Sequence, residues 1–143
     1  MPSAVSHAAA ASDGYYLYLF GGRNGDGLAT NHTQVFDPIS ESWETSLDGA
    51  YPALPEARAG AGKAVYFQGQ FFIVGGETAS GLGANGTDRV DLFHPITLTW
   101  SVGPSLKTGR QGSFPVVAGS RILVAGGRET GETSASTLEV YMP

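Results

Sequence analysis

The sequence predicts an all-β protein built from tandem antiparallel sheets, and three observations carry that prediction. Leu19-Phe20-Gly21-Gly22, Ile73-Val74-Gly75-Gly76 and Val124-Ala125-Gly126-Gly127 each run an apolar strand into a glycine pair, 54 and then 51 residues apart. After each pair comes a polar loop and a second strand that ends in proline, at Pro38, Pro95 and Pro143. Twenty-one glycines and eight prolines with only 15% charged residues describe a turn-rich chain, and helical periodicity and coiled-coil heptads are absent. A period near 50 residues that starts with strands points to a propeller-type array of blades.

Each element of the repeat has a physical reason. The stretches Tyr15 to Phe20, Phe71 to Val74 and Ile122 to Ala125 are almost wholly apolar, which predicts strands buried on both faces between neighbouring blades. The glycine pairs fit a close approach of backbones where the chain leaves the sheet. The following strands, Thr33-Gln34-Val35-Phe36-Asp37, Val90-Asp91-Leu92-Phe93-His94 and Leu138-Glu139-Val140-Tyr141-Met142, alternate apolar and polar residues more clearly, as expected further from the axis. Their prolines remove a ladder donor and fix φ for the turn. Trp43 and Trp100 stand five residues past the first two prolines and would be apolar wedges between blades. Arg-x-Gly then recurs at Arg58-Ala59-Gly60 and Arg110-Gln111-Gly112.

These landmarks together resemble the kelch repeat over nearly the whole chain: a double glycine ending the second strand, an aromatic-x-Pro ending the third, a Trp opening the fourth, and an Arg before the next blade. The nearest competitor, the WD40 repeat, has a period of about 40–45 and Gly-His and Trp-Asp signatures. The chain departs from a uniform repeat where His94 and Met142 stand in the place of Asp37, and where Ala4 is aligned with Arg58. The expected fold is a partial kelch-type β-propeller of three antiparallel blades, the last lacking its outer strand. Blade 1 is placed at about residues 6–48, blade 2 at about 60–107 and blade 3, incomplete, at about 112–143.

The resemblance implies a binding module that recognises protein or peptide through loops at one end of the channel. One loop set follows the glycine pairs, at 23–31, 77–87 and 128–134; the other joins blades, at 45–58 and 101–110. Arg58 and Arg110 match the kelch position whose side chain, in several members, reaches the channel mouth and binds acidic groups. A planar guanidinium grips a carboxylate through two bonds, although arginines at such a place also tie loop carbonyls between blades. Arg23 and Arg128, after the first and third glycine pairs, are further candidates; Glu77 holds that place in the second copy. The other implied class is a carbohydrate-binding or carbohydrate-active propeller, similar to the kelch-type sialic acid mutarotases or to galactose oxidase, with catalytic residues outside this segment.

Composition narrows the partners. Net charge of −5, with scattered basic residues, disfavours nucleic acid and anionic membranes. No cysteine is present, so the Cys–Tyr cofactor of the galactose oxidase type cannot form within these residues. His7, read in the first strand, His32 in a loop and His94 in the turn after a third strand share no ligand spacing, and no Gly-x-Ser-x-Gly elbow occurs. No catalytic set, metal or cofactor is therefore assigned. No run is long enough to cross a membrane as a helix, and the first eleven residues lack the pattern of a signal peptide. Asn31 and Asn85 begin sequons that matter only in a eukaryotic secretory pathway.

Closed propellers have about four to eight blades. The expectation is that this chain forms part of a larger propeller, the alternative being a homodimer that completes a six-bladed ring.

Overall fold

The computed structural model describes residues 1–78, 86–129 and 134–143. Thirteen strands account for the regular structure in them: β1 (Ala9–Ser12), β2 (Leu17–Phe20), β3 (Thr33–Asp37), β4 (Ser42–Thr45), β5 (Val65–Phe67), β6 (Gln70–Val74), β7 (Val90–His94), β8 (Thr99–Val102), β9 (Arg110–Gln111), β10 (Val116–Ala118), β11 (Arg121–Ala125), β12 (Arg128–Glu129) and β13 (Leu138–Tyr141). They form two four-stranded antiparallel meanders, β1-β2-β3-β4 and β5-β6-β7-β8, a three-stranded sheet β10-β11-β13, and a short ribbon of β9 with β12. The third sheet has no outer strand. These sheets are the blades of an all-β propeller segment, and their first strands β1, β5 and β10 lie side by side along one wall.

Local chemistry sets the turns. Gln68 and Gly69, both at positive φ, join β5 to β6, the two-residue geometry that suits the right-handed twist of a hairpin. The links from β3 to β4 and from β7 to β8 begin with Pro38 and Pro95 and end with Glu41 and Leu98 in the left-handed region. In the first of them Asp37 accepts the Ile39 N–H at 2.8 Å and the Ser40 hydroxyl at 2.8 Å, so the turn is closed by its own side chain.

Register assigns each residue to a face. Tyr18, Phe20 and Val35 of blade 1 meet Phe71, Ile73 and Phe93 of blade 2 in one apolar cluster. Val65, Phe72, Val74 and Val90, on the other face of blade 2, meet Ile122, Val124 and Tyr141 of blade 3 in a second. Burial on both faces therefore holds for the middle blade alone. Tyr15 and Tyr16, expected inside, are exposed before β2, and Leu17 is exposed within it. In β11, Ile122 and Val124 are buried while Ala125 is exposed. The apolar stretches are strands as expected, but two-sided burial needs a blade on each side. Two positions also move. His7 precedes β1 rather than lying in a first strand, and His94 is the last residue of β7 rather than part of the turn.

The two tryptophans show the same asymmetry. Trp100 of β8 packs against Phe93 at 4.9 Å and, across the blade boundary, edge-on to Phe20 at 5.5 Å. Its indole N–H points to the Pro52 carbonyl at 3.5 Å. Trp43 touches Phe36 of its own blade at 5.0 Å on the face turned away from blade 2. Trp100→Ala is expected to lower the stability of this chain by about 3 kcal/mol, and Trp43→Ala by less than about 1.5 kcal/mol. Urea unfolding of the two variants checks this; equal losses would mean that Trp100 does not join the blades.

Candidate functional site

At one end of the blades the loops after the glycine pairs meet the segments that join one blade to the next. Ser6 pairs with Arg23, Ala59 with Glu77, and Gln111 with Arg128. This register matches Val5, not Ala4, with Arg58 and Arg110, and matches His7 with Gly60 and Gly112. All three of the latter residues have positive φ, so His7 holds a backbone that its counterparts leave to glycine.

The expected site arginines lie inside this framework. Arg58 is 1% exposed; its guanidinium is ion-paired with Asp91 and points at the Gly75 carbonyl at 3.3 Å. Arg110 is 0% exposed and donates to Glu139 Oε1 at 2.5 Å, Thr137 Oγ1 at 3.1 Å and the Gly126 carbonyl at 2.9 Å. Both guanidiniums are buried within the framework. Each reaches from an inter-blade segment to the third strand of the blade that follows and to the first glycine of its pair. Burial pulls Arg58 below its ordinary value, and the Asp91 carboxylate pushes it back up. Asp91 also receives Arg89, whose Nη2 lies 2.7 Å from Oδ1; these bonds hold Arg89 above its ordinary value.

The acid partners occupy one column of the repeat: Gln34, Asp91 and Glu139 are each the second residue of their third strands. Where the column carries an acid, the inter-blade position carries arginine. Where it carries Gln34, that position carries Val5, and the amide is satisfied by Ser3, whose N–H it accepts at 2.9 Å and whose carbonyl it binds at 3.0 Å. Charge and counter-charge change together from blade to blade. The sequence contains this signal, but only when two columns about 30 residues apart are read jointly.

Arg23 is nearly buried and ion-paired with Glu77 of the next blade, and it donates to the Gly27 carbonyl at 2.6 Å. Asn24 accepts the N–H groups of Asp26 and Leu28 at 3.0 and 2.9 Å, which closes the 23–30 loop on itself and leaves Leu28 exposed. Arg128, in β12, is exposed beside Gln111. The loop surface is thus stitched across blades 1 and 2 by Arg23–Glu77. Positions 79–85 and 130–133 of the other two loops, with the Asn85 sequon, lie outside the described residues. Asn31 is exposed, and its carbonyl accepts the Leu54 N–H at 2.9 Å. His7 and His32 bond to neighbouring serines at 3.1 and 3.0 Å, and His94 lies in another sheet.

Successive antiparallel sheets joined in this way define a segment of a β-propeller. A family model described as the kelch motif matches residues 4–45, the stretch that holds all of blade 1. It is 27% identical to Kelch-like protein 35 of Mus musculus over 100% of its own length and 22% of that protein. It is 28% identical to Kelch-like protein terF of Aspergillus terreus, over 92% of this chain and 29% of that one, and 24% identical to alpha-scruin of Limulus polyphemus, over 89% and 14%. It spans less than a third of each of these relatives. The solved structure of YjhT superposes with a TM-score of 0.80 at 18% identity, covering 99% of this chain and 44% of that one, which establishes the fold.

Asp91→Asn leaves the Arg58 cation buried without its carboxylate and is expected to cost about 3–5 kcal/mol. The pair Arg58→Val with Asp91→Gln copies Val5 and Gln34 of blade 1 and should restore roughly half of that loss or more. Denaturant melts of the single and double variants decide; a double variant no better than Asp91→Asn would break the link between the two columns.

Proposed function

We propose that this chain is a kelch-repeat binding module that recognises protein or peptide through the loop end of its blades, as part of a larger propeller. The observation that carries this reading is the stitching of that end. Arg23–Glu77, Arg58–Asp91 and Arg110–Glu139 neutralise one another inside the framework and hold the loop backbones in place. A loop ordered beforehand loses less entropy on binding. Arg58 and Arg110 then serve as positioning residues behind the surface, and contact falls to exposed loop groups such as Leu28.

A peptide display library selected on the folded chain, followed by hydrogen exchange with the best synthetic peptide, tests this. Slowed exchange is expected across 22–31, 53–60 and 104–112. Slowing confined to other segments, or a library that yields no binder, would remove the loop end from consideration.

The open faces bear on assembly. Blade 1 turns Leu17, Phe36 and Trp43 away from blade 2, and blade 3 turns Val116, Leu138 and Val140 away from it. Further blades suit those faces better than a second copy does. A ring of two copies would set Arg128 beside the Arg23 of its mate, where the chain itself sets Glu77 beside Arg23, and like charges there repel. Light scattering after size exclusion should accordingly give no discrete dimer; a sharp dimer peak would favour the self-closed ring.

A further inference from the structure

The opposite end of blades 1 and 2, where the hairpin turns lie, holds a cleft of about 500 Å³. Both of its walls belong to this chain. Tyr15 and Tyr16 come from the β1–β2 turn, Tyr51 from the inter-blade segment, and Tyr66 from β5. The Tyr16 and Tyr51 rings stand nearly perpendicular to the buried Tyr18 ring, at 88° and 90°. Ring faces are thus offered from more than one direction, as a cation held among aromatic groups requires.

Asp13, Asp37 and Glu44 supply the charge of the cleft, and no lysine or arginine lines it. None of the three forms an ion pair among the described residues. Lys63 lines an adjoining hollow with Asp13 and makes no ion pair with it. The acids are positioned. Asp13 accepts the N–H groups of Tyr15 and Tyr16 at 2.9 and 2.8 Å and the Tyr18 hydroxyl at 3.2 Å. Hydrogen bonds from Ile39 and Ser40 hold the Asp37 carboxyl below its ordinary range. Glu44 lies opposite Val35 on the face turned to blade 2. Burial first, and then the Glu44 charge, push the Tyr51 hydroxyl up.

We propose that this cleft is a second recognition site and takes a lysine or arginine side chain of a protein partner. Uncompensated carboxylates would attract the cationic head, and the tyrosine rings would flank the stem and the charge. The rim points to a peptide: Tyr15 is 79% exposed and Ile96 is 86% exposed, apolar groups that suit the residues flanking a basic one. A saccharide would also stack on tyrosine, but the cleft offers negative charge without one basic donor, and that balance selects a cation. The proposal does not depend on the loop-end reading, since the two surfaces lie at opposite ends of the blades.

The probe is the peptide acetyl-Ala-Lys-Ala-Arg-Ala-amide, followed through the tyrosine ring signals in aromatic ¹H–¹³C NMR spectra. Its counterpart with norleucine at both basic positions and a neutral cello-oligosaccharide serve as comparisons. The basic peptide should shift the Tyr15, Tyr16 and Tyr51 signals and the norleucine peptide should not. Glu44→Gln, an outer-strand change that leaves the apolar clusters intact, should weaken binding about five-fold, and 0.5 M salt should weaken it further. Tyr16→Phe should retain binding and Tyr16→Ala should reduce it. Equal shifts with the norleucine peptide, no effect of Glu44→Gln, or shifts with the saccharide alone would overturn the proposal. So would silence from all three probes.

Discussion

Two backbones that nearly touch set the geometry of the whole array. At Gly21 a β-carbon would overlap the Arg58 carbonyl oxygen, and at Gly75 it would overlap that of Arg110. Each glycine also has positive φ, which a side chain would strain. The contact is used: the N–H groups of Gly22 and Gly76 bond to those same carbonyls at 2.7 and 2.8 Å. The segment that leads into the next blade is therefore laid across the end of the second strand of the blade before. That crossing fixes how far one sheet stands from the next. It brings Tyr18 and Phe20 within reach of Phe71 and Phe93, with Tyr18 and Phe71 at 4.3 Å.

The arginines complete what the glycines begin. Once the carbonyl of Arg58 is pinned to blade 1, its side chain runs the other way, to Asp91 and Gly75 of blade 2. Arg110 does the same between blades 2 and 3. One residue thus joins two sheets, by its backbone on one side and by its guanidinium on the other. Such buried pairs contribute little net stability, because desolvation offsets most of the attraction. Their effect is on register, since a blade shifted by one residue would leave both a cation and a carboxylate buried alone. Blade 1 reaches the same end without charge, through Val5 and the Gln34–Ser3 bonds.

Repetition decided what could be read from the chain. The glycine pairs, the strand-ending prolines and the tryptophan of blade 2 recur at fixed spacing, and each maps onto the element that the spacing demands. Tyr15, Tyr16 and Leu17 are exposed because residue type sets the tendency to hide while the neighbouring blade decides whether it can. For Arg58 and Arg110 the residue type and the loop are legible in the repeat, but the direction of the side chain is not. A guanidinium that could grip an external carboxylate will take an internal one if the fold supplies it, and Asp91 and Glu139 lie about 30 positions further on. The cleft at the turn end carries no repeat signal. Tyr51, Tyr66 and Glu44 come from different columns and meet only because blades 1 and 2 are stacked.

The distribution of charge gives the two ends different characters. Arg23 is the only basic residue in the first 57, against seven acids, so blade 1 and its following segment carry more negative charge than the net −5 of the whole chain. Arg23 lies at the loop end and is matched there by Glu77 from blade 2. The acids of the turn end have no such match among the described residues. Framework constraints explain the difference. At the loop end every buried charge must be paired for the crossing segments to pack at all. The hairpin turns carry no crossing segment, and their carboxylates need only satisfy a local N–H or hydroxyl, as Asp13 and Asp37 do. Their charge is therefore left over, and electrostatic attraction in a partly enclosed, aromatic-walled cleft is stronger than on an open surface. A blade array held together by paired charge at one end is free to keep unpaired charge at the other.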